Sequence, residues 1–327
     1  MTMIVAKCPL RISLVGGSTD LDSFIQKYNK GSVISFPSNL FCYISIHDNN
    51  TDKFIINYSK KEEIETASEI KNDIARVALE YFEIKNPITV SFNTDILSHG
   101  SGLASSSAYT IACVKALSIY KNLSLSDFEI SKISLELERI FNPLTGYQDS
   151  YGCAIGGFKR IDFLKNKRPS FTYFDNQFIN KKYDLFLLHT NIKRNSTEIL
   201  KSIDIDKSYP LLELVDFTEK TIEKKDYFEF EKLLNDSWEQ KKKTSSLIAD
   251  SIELKKIDDF LMNLLNNKII QSLKLCGAGG GGYFLIFVNK QNKEKFIDLI
   301  KCEKHKNYFG NIIPIQISEN GVIGNKI

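Results

Sequence analysis

The chain has 327 residues and a nearly balanced charge, with 43 lysines and arginines against 40 aspartates and glutamates. This length suffices for two domains and a large core. The balanced charge excludes the basic footprint that is typical of nucleic-acid-binding proteins and of proteins that bind anionic membranes. Because no apolar stretch approaches membrane-spanning length and the amino terminus lacks a signal-peptide pattern, we expect a cytoplasmic protein.

The cysteines and histidines point to no structural bridge or metal centre. Six cysteines are scattered without a CxxC pair, and the four histidines form no metal-binding pattern. In a chain of this length, such cysteines are typical of reduced cytosolic thiols, not of a disulfide scaffold or a zinc site.

The first half of the chain is rich in predicted strands. Runs of β-branched and aromatic residues predict strands at 3–15, 32–36, 40–47, 54–58, 88–92, 153–163 and 171–174. Helical spacing predicts helices at 74–82 and 109–117, and a third that begins with a Ser126–Glu129 capping box and ends at Pro143. The charged run at 60–73 is interpreted as a solvated turn and helix start.

The second half is mainly helical. A strand is predicted at 183–189, helices from 196 to about 267, and strands at 272–275, 283–288 and 312–317, with a helix at 292–302 before the last strand. This change predicts a boundary near residue 182, and therefore domains at 1–181 and 182–327. A cleft between two domains is a common place for a ligand site.

The segment GSGLASSSA at 100–108 is the most informative local pattern. Its glycines permit positive φ and a close approach of the backbone to a ligand. Exposed NH groups from such a turn, followed by the start of an apolar helix, form a typical phosphate site. A serine-capped helix after a flexible loop explains the same residues, so the segment alone leaves both interpretations open.

Several nucleotide-binding classes are excluded. No Gly-Lys dipeptide is present, so the chain has no Walker A loop. The DFG and HRD motifs of protein kinases are also missing. The run at 277–282 matches GxGxxG formally, but a predicted strand follows it where a dinucleotide-binding motif needs a helix. A glycine hairpin in a sheet is the simpler interpretation of that run.

Three segments together resemble the GHMP small-molecule kinases. They are CPLRISLVGGSTD at 8–20, GSGLASSSA at 100–108 and LCGAGGGG at 275–282, and they occur in the family's order. Glu138 and the GYQD run at 146–149 fall where the family has its acidic pair. The resemblance implies a two-domain α+β fold of the GHMP-kinase type, with an N-terminal α/β domain that carries the phosphate loop and a ferredoxin-like α+β C-terminal domain. It also implies ATP and Mg²⁺ as cofactors.

Within the family, smaller features look most similar to D-glycero-D-manno-heptose 7-phosphate kinases. These features are GGSTD, the triple serine, GYQDSY, TNIKRNS and WEQKKK. The implied reaction transfers the ATP γ-phosphoryl group to the anomeric hydroxyl and yields the 1,7-bisphosphate, an intermediate toward nucleotide-activated heptose for surface polysaccharide. A kinase for another sugar, such as fucose, and a non-catalytic sensor are the alternatives. A homodimer is left open.

The resemblance also implies individual roles around the nucleotide. Asp149 would accept the proton of the sugar hydroxyl, and Arg11 would lie beside it, although a purely structural ion pair explains Arg11 as well. Ser106 and Glu138 would hold Mg²⁺, although Glu138 also fits a solvated helix surface. The expected nucleotide-binding residues form one loop: Gly100, Ser101, Gly102, Leu103, Ala104, Ser105, Ser106 and Ser107.

For the sugar, the resemblance implies contacts from the first motif, the catalytic aspartate and the last motif. These residues are Gly17, Ser18, Thr19, Asp20, Asp149, Gly279 and Gly280. Galactokinases have a Glu-His pair where this chain has Gly17 and Ser18, which argues against galactose. An acceptor that already carries a phosphate needs cations away from the reacting hydroxyl. Lys193 and Arg194 are the expected ones, with Lys241 and Lys242 as further candidates.

Overall fold

The computed structural model describes residues 3–97, 100–192, 196–302 and 309–327, and it contains two β-sheets with helices packed against them. The helices are α1 Asp22–Tyr28, α2 Asp73–Tyr81, α3 Ser105–Tyr120, α4 Asp127–Phe141, α5 Tyr147–Ala154, α6 Gln177–Asn180, α7 Ser196–Lys201, α8 Tyr209–Lys224, α9 Tyr227–Lys243, α10 Ile252–Asn266 and α11 Lys293–Lys301. The strands are β1 Met3–Val15, β2 Lys30–Asp48, β3 Phe54–Asn57, β4 Lys61–Ile64, β5 Ile88–Thr94, β6 Lys159–Leu164, β7 Ser170–Tyr173, β8 Tyr183–His189, β9 Ser272–Leu275, β10 Tyr283–Asn289, β11 Ile312–Ile315 and β12 Ile323–Lys326.

The first sheet has eight strands, and its central path runs β12-β1-β2-β5-β3-β4. Strands β6 and β7 extend from the beginning of β2 as a second branch. Its pairs are antiparallel except β3 with β5, which is parallel. Helices α3 and α5 pack against β1 and β2, so this sheet and α3 form most of the larger hydrophobic core.

The second sheet has four antiparallel strands in the order β11-β8-β10-β9. Along the chain, β8 precedes helices, β9 and β10 follow, and α11 leads into β11. This is the βαββαβ succession of a ferredoxin-like unit. The expected α+β architecture, with a sheet in each half of the chain, is therefore confirmed.

The C-terminal segment returns to the first sheet. Strand β12 pairs with the start of β1, and an isolated bridge joins Ser38 to Ile317. The division at residue 182 separates the two sheets at the beginning of β8, but the last residues of the chain belong structurally with the first sheet. A division into domains 1–181 and 182–327 stays a prediction.

Local chemistry explains several helix starts. Ser126 and Glu129 form the expected capping box at the start of α4. Asn72, Asp226 and Ser251 cap α2, α9 and α10 in the same way, each accepting a hydrogen bond from the third residue beyond it. The predicted helical stretch from residue 196 to 267 is confirmed, since it holds α7 to α10.

The predicted strand at 153–163 is wrong in its first part. Cys153 and Ala154 end α5, and the strand begins at Lys159. The helix is short and six of its eight residues are buried, so its sequence carries little helical periodicity. Two glycines, Gly156 and Gly157, follow it, and positive φ at Gly157 reverses the chain into β6.

The charged run at 60–73 contains a strand that the sequence analysis missed. Lys61–Ile64 pairs with β3, although its exposed side chains are charged. Glu62 is buried on its inner face and accepts hydrogen bonds from the backbone NH groups of Lys71 and Asn72. The predicted strands at 32–36 and 40–47 are one continuous strand, β2. Among the described residues, no helix combines the length and the apolar character that a membrane span requires.

Candidate active site

A cavity of about 540 Å³ opens between the two sheets. Its wall brings together segments that are far apart in the chain: the end of β1 and the turn after it, the loop before α3, the facing ends of α4 and α5, the last turn of α9, and β9. The predicted site residues on this wall are Arg11, Gly17, Ser18, Asp20, Gly100, Ser101, Gly102, Ala104, Ser105, Ser106, Ser107, Glu138 and Asp149.

The loop before α3 has the backbone of an anion site. Gly100 and Gly102 have φ of 69° and 81°, and Ala104 is also left-handed at 60°. Ala104 occupies the position before the helix and carries no side chain that could cap it. The interpretation as a serine-capped helix is therefore wrong, and the start of α3, which has no side-chain cap, lies on the cavity wall.

Arg11 and Asp149 form the central ion pair of the site. The Arg11 side chain is almost fully buried, whereas that of Asp149 is 26% exposed toward the cavity. Nε and Nη2 of Arg11 donate to Asp149 Oδ1 at 3.0 and 2.5 Å, and Nη1 donates to the carbonyl oxygen of Gly102 at 3.0 Å. One guanidinium thus joins β1, the loop and α5.

Glu138 of α4 lies beside the first turn of α3. It is buried, and Ser107 Oγ donates to its Oε2 at 2.5 Å. Burial raises the pKa of Glu138 to about 7, and the charge of Asp149 adds to this, while hydrogen bonds from Ser107 and Ser106 act in the opposite direction. Ser106 itself is exposed on the cavity wall. The structure thus places Ser106 and Ser107, not Ser106 alone, beside the carboxylate.

Asp20 holds the turn after β1 against the start of α5. Its Oδ1 accepts hydrogen bonds from Ser18 N and Gln148 Nε2, and its Oδ2 accepts one from Gln148 N. Burial, reinforced by Asp149, raises the pKa of Asp20 to about 6. A Cβ atom on Gly146 would lie 2.1 Å from Asp20 Oδ2, so glycine is required there for this packing. Asp20 thus orders the turn as well as lining the cavity.

Some predicted residues lie away from the cavity wall. Leu103 is buried in the core, and Thr19 Oγ1 donates to the carbonyl oxygens of Gly16 and Ser32, so both residues shape their loops. Lys242 pairs with Glu239 and Asp258 outside the cavity. Lys193 and Arg194 lie outside the described residues.

The glycine run at 277–282 packs differently from the expectation. Gly279 and Gly280 contact Ile248, and Gly280 N donates to its carbonyl oxygen at 2.8 Å. The residues of this run that line the cavity are Gly277 and Ala278. At the other end, a Cβ atom on Gly282 would lie 2.5 Å from the carbonyl oxygen of Ser101. The run therefore packs behind the loop that precedes α3.

Four cavity residues were missed by the sequence analysis or left among many candidates. Lys274 of β9 donates to the carbonyl oxygen of Leu14 at 2.7 Å, and Lys241 of α9 donates to Ser18 Oγ. Ser13 Oγ and Gln148 Oε1 are buried polar atoms with no hydrogen-bond partner among the described residues. Gln148 lies inside the GYQD run and Ser13 inside the segment at 8–20, so both had a usable signal, whereas Lys274 has none.

The chain is similar in sequence to known kinases. The model of the GHMP kinases N-terminal domain matches residues 58–157, a range that includes the phosphate loop, Glu138 and Asp149. The chain is 27% identical over 330 residues to a D-glycero-alpha-D-manno-heptose 7-phosphate kinase of Campylobacter jejuni, covering 93% of this chain and 95% of that protein. It is 29% identical over 199 residues to a galactokinase of Thermosipho africanus, covering 57% and 53%.

Solved structures share the fold over nearly the whole chain. A D-glycero-D-manno-heptose 1-phosphate kinase from Bacteroides thetaiotaomicron superimposes with a TM-score of 0.77 at 22% identity and covers 99% of each chain. A galactokinase from Lactococcus lactis gives a TM-score of 0.78 at 15% identity, covering 99% and 95%. With three motifs in the family's order around one cavity, these sequence similarities identify the chain as a kinase that contains a GHMP kinases N-terminal domain.

Proposed function

We propose that this protein transfers the γ-phosphoryl group of ATP to the anomeric hydroxyl of D-glycero-D-manno-heptose 7-phosphate and forms the 1,7-bisphosphate. The observation that carries the proposal is the Arg11–Asp149 pair, which faces the cavity between the phosphate loop and the turn at 16–20. The similarity to the Campylobacter jejuni heptose 7-phosphate kinase supports the choice of acceptor.

The nucleotide and the sugar would bind on opposite sides of the Arg11–Asp149 ion pair. On the loop side, the positive φ values and the uncapped start of α3 suit the phosphates of a nucleotide. Next to the loop, the cavity is lined by aromatic residues that include Tyr58, Phe92 and Tyr109, and the last two rings pack at 5.5 Å. Flat apolar side chains of this kind suit a nucleobase. The sugar would then occupy the side of the turn at 16–20.

In the reaction, the sugar oxygen attacks the γ-phosphorus as the bond to the β-phosphate oxygen breaks and ADP leaves. Asp149 would accept the hydroxyl proton. Arg11 holds Asp149 Oδ1 through two hydrogen bonds, so the carboxylate is kept in one orientation. Its charge would also help to neutralise the transferring group, and positioning by the loop would supply much of the remaining acceleration.

Mg²⁺ fits the same end of the cavity. Glu138 offers a buried carboxylate and Ser106 a hydroxyl exposed to the cavity, and Mg²⁺ prefers such hard oxygen ligands together with phosphate oxygens. When bound, Mg²⁺ supplies positive charge to the nucleotide phosphates. Ser107, hydrogen-bonded to Glu138, would then orient the carboxylate.

The test is a panel of sugars with ATP and Mg²⁺, followed by ADP release. The panel contains D-glycero-D-manno-heptose 7-phosphate as separate anomers, the unphosphorylated heptose, fucose and galactose. The proposal expects the heptose phosphate to give the highest kcat/KM. Faster turnover of an unphosphorylated sugar would establish a different acceptor within the same family, and no ADP release with any sugar would support a non-catalytic sensor.

A further inference from the structure

Two ammonium groups from the second half of the chain meet at the acceptor side of the cavity. Lys274 lies on β9 and Lys241 in the last turn of α9. Lys274 Nζ donates to the carbonyl oxygen of Leu14 at 2.7 Å, and Lys241 Nζ donates to Ser18 Oγ. Both contacts fall on the segment between the end of β1 and Asp20, and both lysines line the cavity.

Lys241 is buried and Lys274 is half-buried in the cavity wall, and two like charges that are poorly solvated and close together are costly. Lys241 is 9% exposed, and the charges of Lys241 and Arg11 both act on Lys274. Among the described residues, Lys274 forms no ion pair, and its hydrogen bond goes to a neutral carbonyl group. A like-charged, poorly solvated pair of this kind gains stability when a dianion binds between its members.

We propose that Lys241 and Lys274 bind the phosphate group that the acceptor sugar already carries, and that this pair selects a sugar phosphate over a free sugar. The proposal rests on the proposed function, and it assigns the recognition to residues different from Lys193 and Arg194. Ser13 Oγ and Gln148 Oε1 lie on the same wall as unsatisfied buried polar atoms, which places groups for sugar hydroxyls beside the phosphate site.

The geometry favours the acceptor over the nucleotide as the ligand of this pair. Arg11 contacts the loop that precedes α3 through the carbonyl oxygen of Gly102. The two lysines instead contact Leu14, near the end of β1, and Ser18, in the turn after it. The glycine run that follows β9 contacts both regions at different points. Gly282 packs behind the loop that precedes α3, whereas Gly277, closer to Lys274 in the chain, lines the cavity. Removal of either lysine should therefore affect acceptor binding far more than ATP binding.

Because Lys274 can lose its proton, the affinity for a sugar phosphate should depend on pH. Burial lowers the pKa of Lys274 to about 7, with Lys241 of α9 and Arg11 of β1 adding to the effect and Cys276 acting against it. The carboxylates on the facing wall are Asp20 and Asp149, and Arg11 holds Asp149. The ammonium form of Lys274 is lost as pH rises above about 7. The affinity of the wild type for a sugar phosphate should therefore fall between pH 6.5 and 8.5. In the Lys274→Arg variant, whose side chain stays charged, this fall should be smaller.

The experiment compares wild type, Lys274→Met, Lys241→Met and Lys274→Arg with Lys243→Met as the matched control. Lys243 ends the same helix as Lys241 but is exposed outside the cavity. Calorimetric binding of heptose 7-phosphate and of the free heptose is measured first, and ADP release with each sugar second. Loss of one charged hydrogen bond to phosphate predicts about 10- to 100-fold weaker binding of the sugar phosphate. The free heptose, the KM for ATP and the Lys243→Met variant should change less than about threefold.

The outcomes separate the two proposals. If the wild type binds the sugar phosphate tightly and Lys274→Met does not, but no ADP forms, the phosphate site stands and the proposed reaction fails. If ADP forms and the lysine variants bind the sugar phosphate as wild type does, the reaction stands and the site is overturned. A rise in the KM for ATP with unchanged sugar-phosphate binding also overturns it, because the pair would then serve the nucleotide. Circular dichroism and thermal unfolding of each variant identify a loss that comes from misfolding, and Lys274→Arg should restore binding.

Discussion

Arg11 binds Asp149 through two nitrogen atoms on the same carboxylate oxygen. Nε and Nη2 both donate to Oδ1, and among the described residues no hydrogen bond reaches Oδ2. The guanidinium is held in turn by the Gly102 carbonyl oxygen at 3.0 Å. The pair therefore fixes the orientation of the carboxylate and leaves one oxygen for a proton from the acceptor.

The first prediction concerns that remaining oxygen. Asp149→Asn keeps the size and the acceptor oxygen toward Arg11 but removes the base. We expect kcat to fall about 10²- to 10⁴-fold, with the KM for ATP nearly unchanged, as measured by steady-state kinetics of ADP release. Glu136→Gln is a suitable control, because Glu136 is exposed on α4 and pairs with Lys132. Near-normal kcat in Asp149→Asn would mean that another group takes the proton.

The second prediction concerns the three-way contact of Arg11. In Arg11→Lys a single ammonium replaces the fork, so the bonds to Asp149 and to Gly102 cannot all form. We expect kcat/KM to fall about 10- to 100-fold, since each charged hydrogen bond contributes roughly 1.5–3 kcal/mol. Both the KM for ATP and kcat should change, because the loop and the base are both released. A change in kcat alone would contradict the role of Arg11 in holding the loop.

The third prediction concerns the support of the phosphate loop from behind. Gly282 has φ of 96°, and a Cβ atom there would lie 2.5 Å from Ser101 O and 2.8 Å from Gly100 O. Gly282→Ala should displace the loop and raise the KM for ATP at least about tenfold, with a stability loss of about 1–3 kcal/mol from backbone strain.

Gly157→Ala is the matched control for this substitution. Gly157 has φ of 83°, and a Cβ atom there would lie 3.3 Å from the ring of Tyr173 in β7, away from the cavity wall. It should show a similar loss of stability in urea unfolding but a normal KM for ATP. An equal rise in KM in both variants would mean that strain, not the contact with the loop, causes the effect.

The fourth prediction concerns Glu138 and the metal. Glu138→Gln retains the size and a hydrogen bond to Ser107 but removes the charge. The Mg²⁺ concentration for half-maximal activity should rise about 10- to 100-fold in a titration at fixed ATP. The exposed neighbour Glu136, changed in the same way, should leave this concentration unaltered. A Glu138→Gln variant with normal Mg²⁺ dependence would place the metal elsewhere in the cavity.

The fifth prediction is a pH dependence of stability. Lys159 is fully buried, and its Nζ donates to the carbonyl oxygens of Gly152, Ile155 and Gly157. Burial lowers the pKa of Lys159 to about 7, against 10.5 for an exposed lysine. Between pH 7 and 10.5, Lys159 is protonated in the unfolded chain and neutral in the folded protein. The contribution of Lys159 to the free energy of unfolding therefore increases as pH rises.

The measurement is the free energy of unfolding in urea at several pH values. From pH 7.5 to 9, the wild type should gain stability relative to Lys159→Met, by at most about 1.4 kcal/mol per pH unit. Lys167→Met, at an exposed position in the turn after β6, should follow the wild type. Parallel curves for wild type and Lys159→Met would show that the lysine keeps its ordinary pKa.

Local patterns made much of this fold and site predictable. The capping box of α4, the strand β1 and the loop at 100–108 each depend on neighbouring residues, and each appears in the structure where the sequence placed it. Arg11, Glu138 and Asp149 were identified through motifs that recur in the family, and the structure places them on one cavity wall.

Other features depend on contacts between distant segments. Nothing local marks Lys274, because one lysine in a strand is usually solvated, and its inward direction follows from how β9 faces β1. Gly279 and Gly280 were predicted to contact the substrate, but both lie against Ile248 and neither lines the cavity. The short helix α5 was missed because eight residues give too little periodicity, and β12 because its pairing with β1 spans the whole chain.

The most direct test of the proposed reaction is phosphorus NMR of the product formed by the wild-type protein from heptose 7-phosphate, ATP and Mg²⁺. Besides the signals of ADP, we expect one new sugar-phosphate resonance, coupled to the anomeric proton, that grows in step with ADP while the 7-phosphate signal persists. A new phosphate on any other carbon, or ADP without a new sugar-phosphate signal, would contradict it.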